Sequence, residues 1–406
     1  MTWKYLPVLH QCLTILLIVG LGYILGFTGV FDPITFVPVM VKFVFYVALP
    51  FLILQGLGVN INFYEDKYVW SFIGSFFVLR VMALVISVAI TWLKKINNHS
   101  TPHDVGHVAV LWLCLSWIST VILGAPILGA IFNDTVKGQS YGILAAISSF
   151  VFQLPLQMIL LEYHKVKLQV DEDFVIDEER SRQSMNRDPD LASISSIRQL
   201  DKHHDNDVEN ISAGDEVEIL DPQTQLRIQN YQILRRVFYQ MMLNPVLWGI
   251  SGGFILSLST LGPSFLKKPS IYGDWFTKLA EWLGGSVSPL SLFSMGVWMS
   301  SQRGIQYKIS PYTVVLCMLS KLMFMPMMMV WISKLFNLND EAGRASILIA
   351  CLPISMASFS LGSRFEIGED LLSLNVILGT ILVLPTVLLW NLVMDSLDLY
   401  VEYSGE

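Results

Sequence analysis

Residues 121–132 read VILGAPILGAIF. They close an apolar run from about 108 to 132, long enough to cross a bilayer as one helix. Yet Gly124, Ala125 and Pro126 stand side by side inside it, with Gly129 just beyond. Proline removes one backbone N–H and its ring clashes with the preceding turn, while glycine tolerates unusual dihedrals. The stretch therefore predicts an opened helix within a membrane span. Lipid offers no partner for the freed N–H and C=O groups, so such a break must face protein or a wet cavity.

The rest of the chain supports a membrane setting. Of 406 residues, 53% are hydrophobic and only 15% charged, and mean hydropathy is +0.55. Soluble domains carry about a quarter charged residues. Ten apolar runs lie near 5–26, 34–58, 69–93, 108–132, 140–162, 241–261, 274–299, 310–333, 343–362 and 370–397. Runs of this length are too long for barrel strands, so the fold class is an all-α polytopic membrane protein with ten transmembrane helices. The first run is long enough to stay as a span rather than be cleaved as a signal. Cys12, Cys114, Cys317 and Cys351 all fall in apolar runs without metal-ligand spacing and read as small buried hydrophobes. No cofactor, metal or nucleic-acid partner is predicted, and HExxH and paired catalytic aspartates are missing.

Residues 163–232 separate five runs from five. They hold sixteen acidic and eight basic residues, net −8, against −7 for the whole chain. Stretches such as 171-DEDFVIDEERSRQS-184 cannot bury enough apolar surface to fold alone, so an acidic, largely disordered loop is expected. RSRQS, ending at Ser184, suits a basophilic kinase; His203 and His204 read as solvated. The division is thus 1–162, the loop 163–232, and 233–406 as the second membrane unit. Residues 224–242 alternate at helical spacing and predict an interfacial helix with Arg235 and Arg236 at headgroup level.

The two halves share punctuation. Pro7 to Pro50 spans 43 residues and Pro245 to Pro289 spans 44; Pro50 to Arg80 spans 30 and Pro289 to Lys321 spans 32. Pro126 to Pro155 spans 29 and Pro353 to Pro385 spans 32. Five is odd, so the second copy must enter the membrane from the opposite side, which gives two inverted five-helix repeats. The partner of the Gly124–Pro126 break is then 350-ACLPISMASFSLGSRF-365, broken at Pro353. Helices 4 and 9 are expected to be broken and to meet near the midplane, where half-helix N-termini favour anions.

Two basic residues lie deep within spans: Arg80 in 75-SFFVLRVMALVI-86 and Lys321 in 315-VLCMLSKLMFM-325. Buried charge in a membrane marks function by default, and no convincing carboxylate stands near a span centre. The pair either shapes the field for an anionic substrate or caps carbonyls of the broken helices. Lys42, Glu162, Glu281 and His10 lie nearer span ends. With the N-terminus outside or luminal, short cytoplasmic segments hold nine Lys/Arg against seven outside, which places the loop in the cytoplasm. Asn133, in an NDT sequon, then lies outside, close to the membrane.

The sequence resembles the auxin efflux carrier family, the PIN and PIN-like carriers with their bacterial relatives. The matching pieces are 42-KFVFYVALPFLILQGLGV-59, 120-TVILGAPILGAIF-132, 160-LLEYHK-165, 243-LNPVLWGISGG-253, 352-LPISMASFSLGSRF-365 and 370-DLLSLNVILGTILVLPT-386. The resemblance implies ten spans, inverted repeats, crossing helices 4 and 9, and export of organic anions such as auxin or dicarboxylates. It also marks departures. Where the plant carriers have Pro-Asn-Thr before the span-four break, and bacterial relatives keep the Asn, this chain has Ile118, Ser119 and Thr120; Phe76 stands where the plant carriers have an Asp four residues before the span-three cation, here Arg80; and Ser358 replaces their second span-nine proline.

The expected substrate-binding residues are Ser119, Thr120, Gly124, Pro126, Ser149, Gln153, Pro353, Ser355 and Ser358, with Arg80 and Lys321 as electrostatic residues. The expected partners are a small organic anion and membrane lipid, with a second copy of the chain and a loop kinase as further candidates. Plasma membrane and endoplasmic reticulum both fit. Two alternatives stay open: a sodium- or proton-coupled symporter on the same scaffold, and a sensor that signals through the loop.

Overall fold

The structure, a computed structural model, describes residues 5–61, 63, 68–97, 104–169, 222–259, 271–303, 307, 309–338 and 340–400. Ser184, His203 and His204 lie outside them. The described residues are helical, without a named strand.

The first half holds α1 (Leu6–Phe27), α2 (Pro33–Asn60), α3 (Tyr68–Asn97), α4 (Asp104–Ser116), α5 (Thr120–Ile131) and α6 (Thr135–Gln169). The second holds α7 (Pro222–Met242), α8 (Pro245–Leu258), α9 (Ile271–Gly285), α10 (Val287–Ser301) and α11 (Pro311–Leu335), then α12 (Asp340–Ala350), α13 (Met356–Arg364), α14 (Glu369–Ile381) and α15 (Val383–Ser396). Five of these are long and apolar enough to cross a membrane alone, and seven spans result if each bent pair counts as one. One bent pair is α7 and α8, which turn by 61° between Met242 and Pro245. The other is α14 and α15, so the run 370–397, expected as one straight span, bends by 63° at Leu382.

The outer surface is apolar. Leu17 is 72% exposed and Trp331 78%, exposure that suits lipid rather than water. Inside, small residues let backbones touch. A Cβ on Gly22 would lie 2.2 Å from the carbonyl oxygen of Phe293, and one on Gly296 would lie 2.0 Å from that of Val19, so α1 and α10 pack backbone to backbone.

Most charged contacts sit at helix ends. Lys137 pairs with Glu341 at 3.0 Å, Arg344 with Asp395 at 3.0 Å and Arg236 with Glu162 at 3.2 Å. Tyr5, just before α1, donates to Asp395 near the end of α15.

Four intramembrane prolines are absorbed in the same way. Pro50, Pro126, Pro155 and Pro326 each follow a five-residue π turn: Val44–Ala48, Thr120–Gly124, Ser149–Gln153 and Ser320–Phe324. In each, the residue before the proline donates to a carbonyl five residues back rather than four. The wider turn makes room for the ring and re-pairs the backbone without opening the helix. The carbonyl of Leu322, which Pro326 cannot serve, instead accepts from Trp390 Nε1 at 2.9 Å. This corrects the sequence expectation for Gly124-Ala125-Pro126. Those residues lie within continuous helix, and the chain opens earlier, at Trp117–Ser119.

Candidate functional site: two broken helices that meet

α4 ends at Ser116, and α5 starts at Thr120. α12 ends at Ala350, and α13 starts at Met356. The two gaps face each other. Ile118 pairs with Ile354 as an antiparallel bridge. The Ser119 N–H donates to the Pro353 carbonyl at 3.1 Å, and the Ser355 N–H donates to the Trp117 carbonyl at 3.0 Å. Each break thus satisfies backbone groups of the other, which lipid could not do.

The second break follows from Pro353, which has no N–H and pushes the residue before it toward extended backbone. Its ring packs against α14 because residue 379 is glycine; a Cβ there would lie 2.6 Å from Pro353 Cβ. Ser355 Oγ then caps α13, accepting from the Ala357 N–H at 3.3 Å. Ser358 Oγ donates to the Ser355 carbonyl at 2.6 Å. The first break has no proline. Ser119, at φ −78° and ψ 65°, turns the chain there.

The two buried cations stand behind the crossing. Lys321, 3% exposed, donates to the carbonyl of Ala350, the last residue of α12, at 3.2 Å. That places positive charge on the negative end of a half-helix. Arg80, fully buried, makes five hydrogen bonds. They reach Gln153 Oε1 at 3.0 Å, Ser148 Oγ at 2.6 Å, the carbonyls of Phe76 at 3.1 Å and Ala145 at 3.2 Å, and Ser149 Oγ. Gln153 carries the chain onward, donating to Ser116 Oγ at 2.6 Å, and Ser116 ends α4. Among the described residues neither cation has a carboxylate partner.

A cavity of about 40 Å³ lies against the crossing, large enough for a water or two. Val41, Val44 and Phe45 of α2 and Ser291, Ser294 and Met295 of α10 form one side; Ser119, Ser355 and the first turn of α13 form the other. A second cavity adjoins it, with Ser119 and Ser355 shared, and reaches Thr120 and Ser149. No charged side chain lines either.

Of the residues expected at the site, Ser119, Thr120, Ser149 and Ser355 line this space. Pro353 supplies a bridging carbonyl, and Ser358 braces Ser355. Gly124 touches Leu352, where a Cβ would lie 3.1 Å from Cδ1. Gln153 is buried between Arg80 and Ser116, and Pro126 sits in α5 after its π turn. Sequence reasoning missed Ser291, Ser294 and Ser360. Ser291 and Ser294 are three apart on one helix, a spacing that puts both on one face, but small hydroxyls are common in membrane helices. Among the described residues no cluster of His, Cys, Asp or Glu could hold a metal ion.

An all-helical, multi-pass bundle whose two broken helices meet inside it has the build of a membrane transporter. The chain belongs to the family described as membrane transport protein, whose model matches residues 7–391. It is 24% identical over 365 residues to Auxin efflux carrier component 8 of Arabidopsis thaliana, covering 87% of this chain and 88% of that protein. It is also 25% identical over 145 residues to Probable auxin efflux carrier component 9 of Oryza sativa subsp. japonica, covering 35% of this chain and 32% of that protein. The family is one of transporters, not enzymes.

Proposed function

We propose that this transporter exports a small organic anion by alternating access and binds it where the two broken helices meet. The bridge between Ile118 and Ile354 supports this most, because it joins matched breaks from the two halves beside a serine-lined space. The α13 N-terminus offers N–H groups and the positive end of a helix dipole to a carboxylate. Ser119, Thr120, Ser149 and Ser355 offer hydroxyls, while Gly124, Pro126, Gln153, Pro353 and Ser358 hold the walls. Arg80 and Lys321 add positive field from behind. Val41, Val44 and Phe45 suit an apolar body, as in the auxin named for the relatives. The present space is too small for such an anion, so loading requires α2 and α10 to part from the crossing.

The topology that fits is ten crossings in two inverted repeats. The Tyr5–Asp395 contact puts the start of α1 and the end of α15 on one side, which an even number of crossings requires. Lys94, His107, His164 and Thr313 share a cavity at one end of the bundle; Tyr68, Lys137 and Glu341 share another at the opposite end. With the N-terminus outside, the loop is cytoplasmic.

The test is current on a solid-supported membrane, with purified protein in proteoliposomes and a carboxylate panel that includes indole-3-acetate. A saturable current for at least one anion, cut about ten-fold by Ser119→Ala, is expected. Silence across the panel, or a current that Ser119→Ala leaves unchanged, would contradict the proposal.

A further inference from the structure

Ser294 lies in mid-α10, is 2% exposed, and its hydroxyl has no hydrogen-bond partner. It is the only buried hydroxyl in that state among the described residues. Serines within helices often donate back to the carbonyl three or four residues earlier. Buried serines elsewhere in this bundle do so: Ser75 to Phe72, Ser87 to Ala83, Ser116 to Trp112 and Ser346 to Gly343. Ser300 and Ser301, on the same helix as Ser294, do so as well. Most of the buried serines thus make a local bond, and leaving a hydroxyl unpaired costs stability.

The position explains the exception. Ser294 lines the cavity beside the crossing, on the α10 side, while Ser119, Ser355 and the start of α13 line the other. We propose that Ser294 is a substrate-contacting, specificity-determining residue whose hydroxyl donates to an oxygen of the carried anion. This rests on the reading of the crossing as the anion site and adds a wall residue that the sequence reading did not single out. The anion is then gripped from two sides. The crossing supplies backbone N–H groups and hydroxyls, and α10 supplies one hydroxyl that is free of its own helix. Because α10 and the crossing belong to different walls, the contact also ties closure of the space to the presence of an anion that can bridge them.

Full-length Ser294→Ala, Ser294→Thr and Ser358→Ala variants test the assignment. In detergent without ligand, Ser294→Ala is expected to unfold within about 1 °C of the wild type or above it, since no protein bond is lost. Ser358→Ala loses the bond to the Ser355 carbonyl and is expected to unfold lower. In proteoliposomes the probes are indole-3-acetate, phenylacetate and benzoate. For any probe the wild type carries, Ser294→Ala is expected to raise KM about ten-fold or more with little change in maximal rate, and Ser294→Thr to restore KM to within about three-fold. Unfolding of Ser294→Ala as low as that of Ser358→Ala would show a structural role and overturn the proposal. So would an unchanged KM for a probe the wild type carries, with the anion reading left standing. If the wild type carries none of the probes, the anion reading falls first and the Ser294 assignment with it.

Discussion

The two halves of this transporter reach the same junction by different means. In the second half a proline lies within the break, and the cation behind it, Lys321, holds one carbonyl of the broken helix itself. In the first half the break contains no proline, Pro126 lies in α5 beyond it, and Arg80 holds five acceptors, four of them on α6 or within its π turn. One break is fixed by local chemistry. The other is fixed by what surrounds it: the backbone bonds to the second break and the Arg80–Gln153–Ser116 relay. The second half therefore supplies the template and the first half is held against it.

Arg80→Ala is expected to have the largest effect, since it strands several buried acceptors at once. A loss of about 3–5 kcal/mol is anticipated, read as a lower unfolding temperature in detergent. Lys321→Ala removes a single carbonyl partner and should cost about 1–3 kcal/mol. Equal losses would break the contrast between the halves.

Proline substitutions test the bridge. Ser119 has φ −78° and Ser355 φ −79°, so proline fits either backbone and mainly removes one N–H donor. Ser119→Pro should cost about 1–2 kcal/mol beyond Ser119→Ala, and Ser355→Pro a similar amount beyond Ser355→Ala. No difference from the alanine controls would mean that the bridge contributes nothing.

The smallest effect is expected at Pro126. Pro126→Ala restores a donor inside a helix that is already continuous, so stability should change by about 1 kcal/mol or less and transport should persist. Pro353→Ala permits α12 to run on through the break and should reduce transport strongly. If Pro126→Ala were the more damaging, the break would lie where the sequence first suggested.

That misplacement shows what was legible. The apolar runs, the polar divide between halves and the punctuation by Pro50, Pro126, Pro155 and Pro353 are local chemistry and can be read directly. The membrane class and the existence of breaks in both halves follow from them, while the transporter family follows from the resemblance of the quoted stretches. A proline, however, signals only that a regular α turn is impossible. At Pro50, Pro126, Pro155 and Pro326 a π turn resolves the conflict; at Pro353 the chain opens. The choice depends on what lies opposite, and for Pro353 that is Trp117 and Ser119 more than two hundred residues away. The same holds for Ser294. Its residue type is unremarkable, and only an enclosed hydroxyl without any partner sets it apart from the other buried serines. Arg80 and Lys321 were visible as buried cations, but their acceptors on α6 and α12 were not.

The central claim is that the carried anion binds where the two breaks meet. Its most direct test is substrate protection of a Ser119→Cys variant, with Cys12, Cys114, Cys317 and Cys351 replaced by serine or alanine. The variant is reconstituted in proteoliposomes and reacted with a small thiol reagent while a carried carboxylate is titrated. Labelling should slow as the anion saturates, with half-protection near the transport KM. Labelling at the same rate at saturating anion, in vesicles that still transport it, would place the binding site elsewhere.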